Sequence, residues 1–473
     1  MSLNEKCAVF GAYSTHEEAA RITYYGLFGL QHRGQDGSGI AVSNDRRVFG
    51  HKGEGLVAAV FSENVMRSLN GAHIAMGHNR YGTSHGERDS AYYLQPVSFY
   101  PDLALAHNGN IPCVRGMQNL LVSKGVDVSG KNDSQLMYET IYYFWNKYNR
   151  NMLLALREAT KYFDGAYSLL MMTNDALYAF RDRHGIRPLS VGHYGENNFV
   201  FSSETCAIDT VQAQLVRDVE PGELIEVSCR GMSSWKLLEG NPKLDVFEFV
   251  YFARPESYLY GKRVNEVRRR FGQLLAGEIG MEADIVVPVP DSAIPAAEGL
   301  GGVMGLPISH ALIKNRYIGR TFISPGAHLR DQMANMKYNV ITEAVEGKRI
   351  VLVDDSIVRL NTMPRLVRRL MSAGSREVHV AVASSPVLFP DFYGIDLARQ
   401  QDLAAAWKDI EELKEIIGCK SLTYLPYHKM IEAVDVDESM LYTGPFSGKY
   451  PIDLGEVGAR VSYDVKNKPV LTS

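Results

Sequence analysis

Between residues 7 and about 235, short apolar or alternating runs are separated by Gly, Asn and Asp. CAVFGAY, SGIAVSN, GAHIAMGHNRYGT, DLALAHNGN, YSLLMMT, ALYAF and NFVFSSE have the length and residue preferences of β-strands. Helical spacing interrupts them at about 17–30, 134–147 and 151–163. Strands and helices mixed in this way predict a layered α+β domain over 7–235. From about 260 the rhythm changes to β-α alternation. Helix-like 264–279 precedes strand ADIVVPV, helix-like 293–304, strand PISHALI and a polar loop. Strand RIVLVD, helix-like 363–373 and strand EVHVAVAS follow. Continuous apolar strands between helices predict an α/β domain over 260–440, with a parallel sheet covered on both faces. The stretch 235–260 reads as a junction and 441–473 as a loop-rich tail.

Ligands of parallel sheets sit at the carboxyl ends of the strands. Two polar sequences fall there, 288-PVPDS-292 and 353-VDDS-356. Neighbouring residues on a strand point to opposite faces. Asp354 and Asp355, at a strand end, can instead both turn into a loop crevice. There they suit a hydrated Mg²⁺ or the hydroxyls of a sugar. The loop that follows opens a helix, which offers N–H groups to a phosphate. The local pattern equally suits a solvated Asp-Asp turn.

Composition narrows the classes. The chain has 473 residues, enough for two or three domains. Its net charge of −4 gives no sign of a nucleic-acid or membrane-surface partner. No apolar run approaches the length of a membrane span. Cys7, Cys113, Cys206, Cys229 and Cys419 are odd in number and contain no C-x-x-C spacing. That argues against a disulfide framework or a zinc or iron–sulfur ligand set, and predicts a reducing, cytoplasmic setting. MSLNEK, at 1–6, is polar and is not a signal peptide.

Several longer stretches carry a resemblance. They are QHRGQDGSGI at 31–40, GHNRYGTS at 77–84, LAHNGN at 105–110, VEPGEL at 219–224 and FEFVYFARPES at 247–257. LIKNRYIGRTFISPG at 312–326, VLVDDSIVR at 351–359 and FYGID at 392–396 complete the set. Together they resemble the amidophosphoribosyltransferases (glutamine phosphoribosylpyrophosphate amidotransferases), in the family's order and over nearly the whole chain. The resemblance implies an N-terminal Ntn-hydrolase glutaminase, an αββα sandwich, followed by a type I phosphoribosyltransferase domain.

A lone cysteine is usually a small buried hydrophobe. The resemblance makes Cys7 the nucleophile, with its own α-amine as general base once residues 1–6 are removed. Ala8 stands where the family usually has Gly. Asn108 and Gly109 match the oxyanion hole, where an amide and a backbone N–H meet the developing charge. Arg80 matches the residue that takes the glutamine α-carboxylate as a bidentate fork. Asp133 matches the acid that receives the α-ammonium, and Arg33 an arginine near the site.

In the second half the resemblance implies a Mg²⁺–phosphoribosyl pyrophosphate (PRPP) site. Asp354 and Asp355 meet the ribose or metal, Ser292 is the other metal-associated position, and Ser356, Arg359 and Thr362 complete the loop. Arg320 and Lys337 belong to a segment, 314–339, that closes over PRPP and excludes water. Leu360 and Asn361 replace a glycine and a hydroxyl of the family's loop, so a bulky residue is expected where the phosphate rests. That change keeps two alternatives open: a glutaminase paralogue with altered PRPP binding, or a non-catalytic nucleotide-binding regulator. Residues 332–336 read QMANM where the family is basic. Asp245, Asp391 and SMLYTGPFSG at 439–448 occupy the positions of cluster-binding cysteines, so no iron–sulfur cluster is expected. The resemblance further implies inhibition by purine nucleotides and a homodimer or homotetramer.

Overall fold

The computed structural model describes residues 7–16, 18–81, 90–315, 337–395, 397 and 399–467. In the first half the strands are β1 (Ala8–Tyr13), β2 (Gly37–Ser43), β3 (Val48–Glu54), β4 (Ile74–Arg80), β5 (Ala104–Cys113) and β6 (Asp164–Met172). Then come β7 (Ala176–Arg181), β8 (Ser190–His193), β9 (Phe199–Ser202), β10 (Gln214–Asp218), β11 (Glu223–Ser228) and β12 (Gly231–Lys236). They form two antiparallel sheets, ordered β10-β8-β9-β1-β4-β2-β3 and β12-β11-β7-β6-β5. Alternation along each strand explains the layers. Val9, Met76, Ala106 and Leu170 meet in the core between the sheets. Phe10 and Ala12 turn the other way, against Leu27 of helix α1 (Ala19–Gly29). The far sheet buries Leu105 and Leu169 against Leu136 and Met137 of α2 (Asp133–Lys147) and Leu156 of α3 (Met152–Ala159). Both sheets are thus covered on both faces, giving the helix–sheet–sheet–helix sandwich. A Cβ on Gly26 would lie 2.4 Å from the Phe10 ring, so α1 packs this closely only with glycine there.

The second half holds a four-stranded parallel sheet of β13 (Ile285–Pro288), β14 (Arg349–Asp354), β15 (Glu377–Val382) and β16 (Ser421–Tyr424) in sequential order. Helices α4 (Val264–Ala276), α5 (Ile294–Met304) and α8 (Tyr427–Val434) pack in one group. Helices α6 (Met363–Ser372) and α7 (Ile410–Ile417) pack in another, against β15 and β16.

The sequence reading needs three corrections here. PISHALI is not a sheet strand: only Ile308 bridges to Val286, and Leu312–Lys314 leaves to form an antiparallel ribbon with Tyr338–Val340. Pro307 supplies no N–H, which weakens a continuous ladder. The fourth strand, Ser421–Tyr424, is too short and too polar to stand out by pattern. The tail is more than loop: Leu441–Tyr442 pairs with Leu244–Asp245, and Tyr442 and Leu454 pack with Ala166 and Ile186 of the sandwich.

Candidate active sites

The first site forms where four strand or helix ends meet. Antiparallel register sets Ala8 against Asn79, so Cys7 and Arg80 are the next residues of their chains at that end of the β1–β4 pair. Arg80 lies over the Tyr93 ring, 5.7 Å from its centroid. From the other sheet, the side chain of Asn108 is fully buried and donates through Nδ2 to Ser203 Oγ at 3.3 Å. The same Ser203 oxygen accepts from Val9 N at 2.9 Å, two residues from Cys7. Gly109 follows with φ +145°, which turns its peptide out of ordinary strand geometry. Asp133 opens α2 beneath a capping box between Asn132 and Gln135. Its carboxylate accepts from Ile111 N at 3.1 Å and from Ser134 N at 2.7 Å. Strand β5 and the helix N-terminus are thereby locked together, bringing Asp133 to the strand of Asn108 and Gly109.

Arg33 is the exception. It is 1% exposed, and its guanidinium is bound by Glu204 and, at 2.6 and 3.0 Å, by Glu248. Burial disfavours its charge, but the two carboxylates outweigh that and raise its pKa. With its fork committed to carboxylates, it has no free face for glutamine. Expected near the glutamine site and as one of its ligands, Arg33 is instead a buried tie.

The second site is a cavity of about 740 Å³ at the carboxyl end of the parallel sheet. Ser292, Lys337, Asp354, Asp355, Ser356, Arg359 and Thr362 all line it, so the predicted set is brought together apart from Arg320, which lies outside the described residues. Ser292 and Ser356 both donate to Asp355, the latter at 2.7 Å. Burial pushes both carboxyls above their usual range, and for Asp354 the charge of Asp355 adds to the effect. Lys314 pairs with Asp291 at 3.0 Å on the rim, and Arg359 with Asp402 at 3.3 Å. Thr362 precedes α6, and its hydroxyl makes no capping bond.

Leu360 and Asn361 are absent from that lining. The Leu360 side chain packs on the apolar core of the second half, and Leu360 is not among the residues with positive φ. The expected clash of a bulky residue with a phosphate is therefore corrected. The loop holds its leucine inward and turns Arg359 and Thr362 to the cavity.

Comparison with known proteins gives the family. The glutamine amidotransferase domain family matches residues 83–210. The amidophosphoribosyltransferase of Synechococcus elongatus is 42% identical over 96% of this chain and 92% of its own length. The chain belongs to the amidophosphoribosyltransferase family. The Bacillus subtilis amidophosphoribosyltransferase is 39% identical over 96% of the chain and 95% of its own length. The solved glutamine PRPP amidotransferase of B. subtilis, complexed with ADP and GMP, superposes with a TM-score of 0.85 and covers 97% of this chain and 99% of its own.

Against that family background, two features escaped sequence reasoning. His32, from the first half, lines the second cavity alongside Tyr251 and Arg254 of the junction. His32 stands in the 31–40 motif, but its place in this wall depends on residues more than two hundred positions away. Asp245, Asp391 and the 439–448 segment do converge. Arg187 binds Asp245 at 2.9 Å, and Tyr442 donates to Asp391 at 2.6 Å. Burial, opposed by Arg187, raises the Asp245 carboxyl well above its usual range. Among the described residues no cluster of three His, Cys, Asp or Glu has metal-binding geometry. No helix among them is long and apolar enough to cross a membrane.

Proposed function

We propose that this chain makes 5-phosphoribosylamine from glutamine and PRPP, the first step of de novo purine synthesis. Residues 7–235 supply the glutaminase, 260–440 the phosphoribosyltransferase, and 441–473 a tail whose described part, 441–467, packs against both. Once residues 1–6 are removed, the Cys7 thiol attacks the glutamine amide, its freed α-amine taking the thiol proton and passing it to the leaving ammonia. Asn108 Nδ2 and the Gly109 N–H stabilise the oxyanion. Arg80 and Asp133 hold the α-carboxylate and α-ammonium. The tetrahedral adduct collapses to a thioester as the protonated nitrogen leaves as ammonia, and water then hydrolyses the thioester to glutamate and the free thiol.

Ammonia then displaces pyrophosphate from C1 of PRPP in the second cavity. Asp354 and Asp355 hold the ribose hydroxyls, and Thr362 with the start of α6 receives the 5′-phosphate. Lys337, in the cavity wall, would meet the departing pyrophosphate, and Arg320 is assigned the same role by the family resemblance alone. The donor set fits Mg²⁺ that arrives with its substrate, since Mg²⁺ needs one or two protein carboxylates and completes its shell with phosphate and water. Bound there, it would neutralise charge on the diphosphate. Two buried carboxyls with raised pKa values are a pair that a cation stabilises.

The observation that carries this reading is the shared cavity: a glutaminase residue, His32, walls a space floored by Asp354 and Asp355. Purine nucleotides are proposed as inhibitors that compete for this cavity, and the enzyme as a cytoplasmic homodimer or homotetramer. The test is to follow glutamine, PRPP and Mg²⁺ by glutamate and pyrophosphate release. Equal amounts of both products are expected. Absence of PRPP binding at millimolar concentration by calorimetry would reject the reading.

A further inference from the structure

The oxyanion amide is held through an unremarked serine. Ser203 pairs with Val9 in both directions: its N–H donates to Val9 O at 3.0 Å, and its Oγ accepts from Val9 N at 2.9 Å. That same Oγ accepts from Asn108 Nδ2 at 3.3 Å. Asn108 comes from the opposite sheet, and its Oδ1 is buried with no hydrogen-bond partner. Ser203 is thus the partner that fixes the Asn108 side chain among the described residues. One oxygen atom references both the nucleophile's strand and the oxyanion donor. An amide NH₂ carries two hydrogens. One is taken by Ser203, which leaves the other for the substrate oxygen.

The next residue anchors this serine. Glu204 is fully buried and accepts from His32 at 2.8 Å, Arg254 N at 2.9 Å and Ser257 Oγ at 2.9 Å, and it pairs with Arg33. Burial opposes its ionisation, but His32 and Arg33 outweigh that and hold the carboxyl well below its usual range. His32 and Arg254 both wall the phosphoribosyl cavity. The backbone step from Ser203 to Glu204 therefore joins the oxyanion amide to the wall of the second site.

We propose that Ser203 is a positioning residue of the glutaminase: it orients the Asn108 amide toward the oxyanion, braced by Glu204 against the second cavity. The inference rests on the glutaminase half of the proposed function. A donor that must sit within about 0.5 Å of its productive place loses most of its effect when its tether is cut.

The test compares Ser203→Ala with Ser203→Cys, which keeps the shape but offers a poorer acceptor. Intact mass first verifies that the Cys7 amine is free. Glutamine hydrolysis and ammonia-dependent synthesis from PRPP are then measured on the same samples. For Ser203→Ala, kcat for glutamine should fall about tenfold or more with KM within about twofold. Ser203→Cys should fall in between, and the ammonia-dependent reaction should persist in both. Glutaminase kcat unchanged in both variants would overturn the proposal. So would parallel loss of both reactions in both variants, since Ser203 would then be merely structural. A wild-type chain that hydrolyses glutamine without using PRPP would reject the proposed function, and the kcat and KM comparison would still decide Ser203.

Discussion

Gly109 shows how much one atom can decide. At φ +145°, an added Cβ would lie 2.0 Å from Ala166 O and 2.9 Å from His107 Nε2. The backbone conformation alone costs a non-glycine residue about 1–3 kcal/mol, before any clash. Gly109→Ala is therefore expected to lower the unfolding midpoint and abolish glutamine hydrolysis, checked by denaturant melts and glutamate release. Cys7→Ala should abolish hydrolysis too, but keep ammonia-dependent synthesis, because the second cavity does not use the thiol. His78 gives a pH dependence. It is fully buried in β4 beside the active strand end, and burial, then the charge of Arg80, lower its pKa to about 3. The unfolded chain binds this proton near pH 6.5 and the folded chain does not. The stability that follows is complete above that pH and falls as pH drops toward 3. Roughly 1 kcal/mol should be lost per pH unit below 6.5. Urea melts between pH 7 and 5 should show this slope, and His78→Leu should flatten it.

At the scale of elements, the β14–α6 connection is decided by which way each side chain turns. Asp354 ends a strand buried from Ile350 to Val353, and Met363 begins α6 with Leu366, Val367 and Leu370 on its buried face. Between them the chain presents Arg359 and Thr362 to the cavity and Leu360 to the core. Leu360→Gly is accordingly expected to destabilise the protein by about 2 kcal/mol or more, by deleting apolar contacts and loosening the loop. It should not tighten PRPP binding. Calorimetry alongside thermal melts checks both, and tighter binding would show that the leucine does obstruct the phosphate.

Across the whole molecule, the halves are joined by buried charge and by the returning tail. Glu248 binds Arg33 at 2.6 and 3.0 Å and Arg187 at 2.6 Å, and Arg187 continues to Asp245. On β5, Asn110 donates to Phe392 O at 2.7 Å. Removing one member of a buried charge network strands its partners without solvent. Glu248→Ala should cost about 3–5 kcal/mol. Added salt should rescue little of that loss, because buried pairs are weakly screened. Unfolding midpoints at low and high salt test this.

The sequence by itself determined much of this protein. Strand and helix periodicity marked the sandwich and the β-α alternation, because burial on a fixed face demands a fixed spacing. Arg80, Asn108, Gly109 and the Asp354–Asp355 loop stand in short motifs that a chain can be read for locally, and the family resemblance they carry points to Cys7 and Asp133. Only the tertiary structure decided the rest. Arg33 has a motif as good as that of Arg80, yet two distant glutamates commit it to the interior. Leu360 looked like an obstruction because its residue type was visible and its direction was not. His32, Ser203 and Glu204 gain their roles from partners in other strands or in the other half, and such partnerships depend on distances that no local spacing encodes.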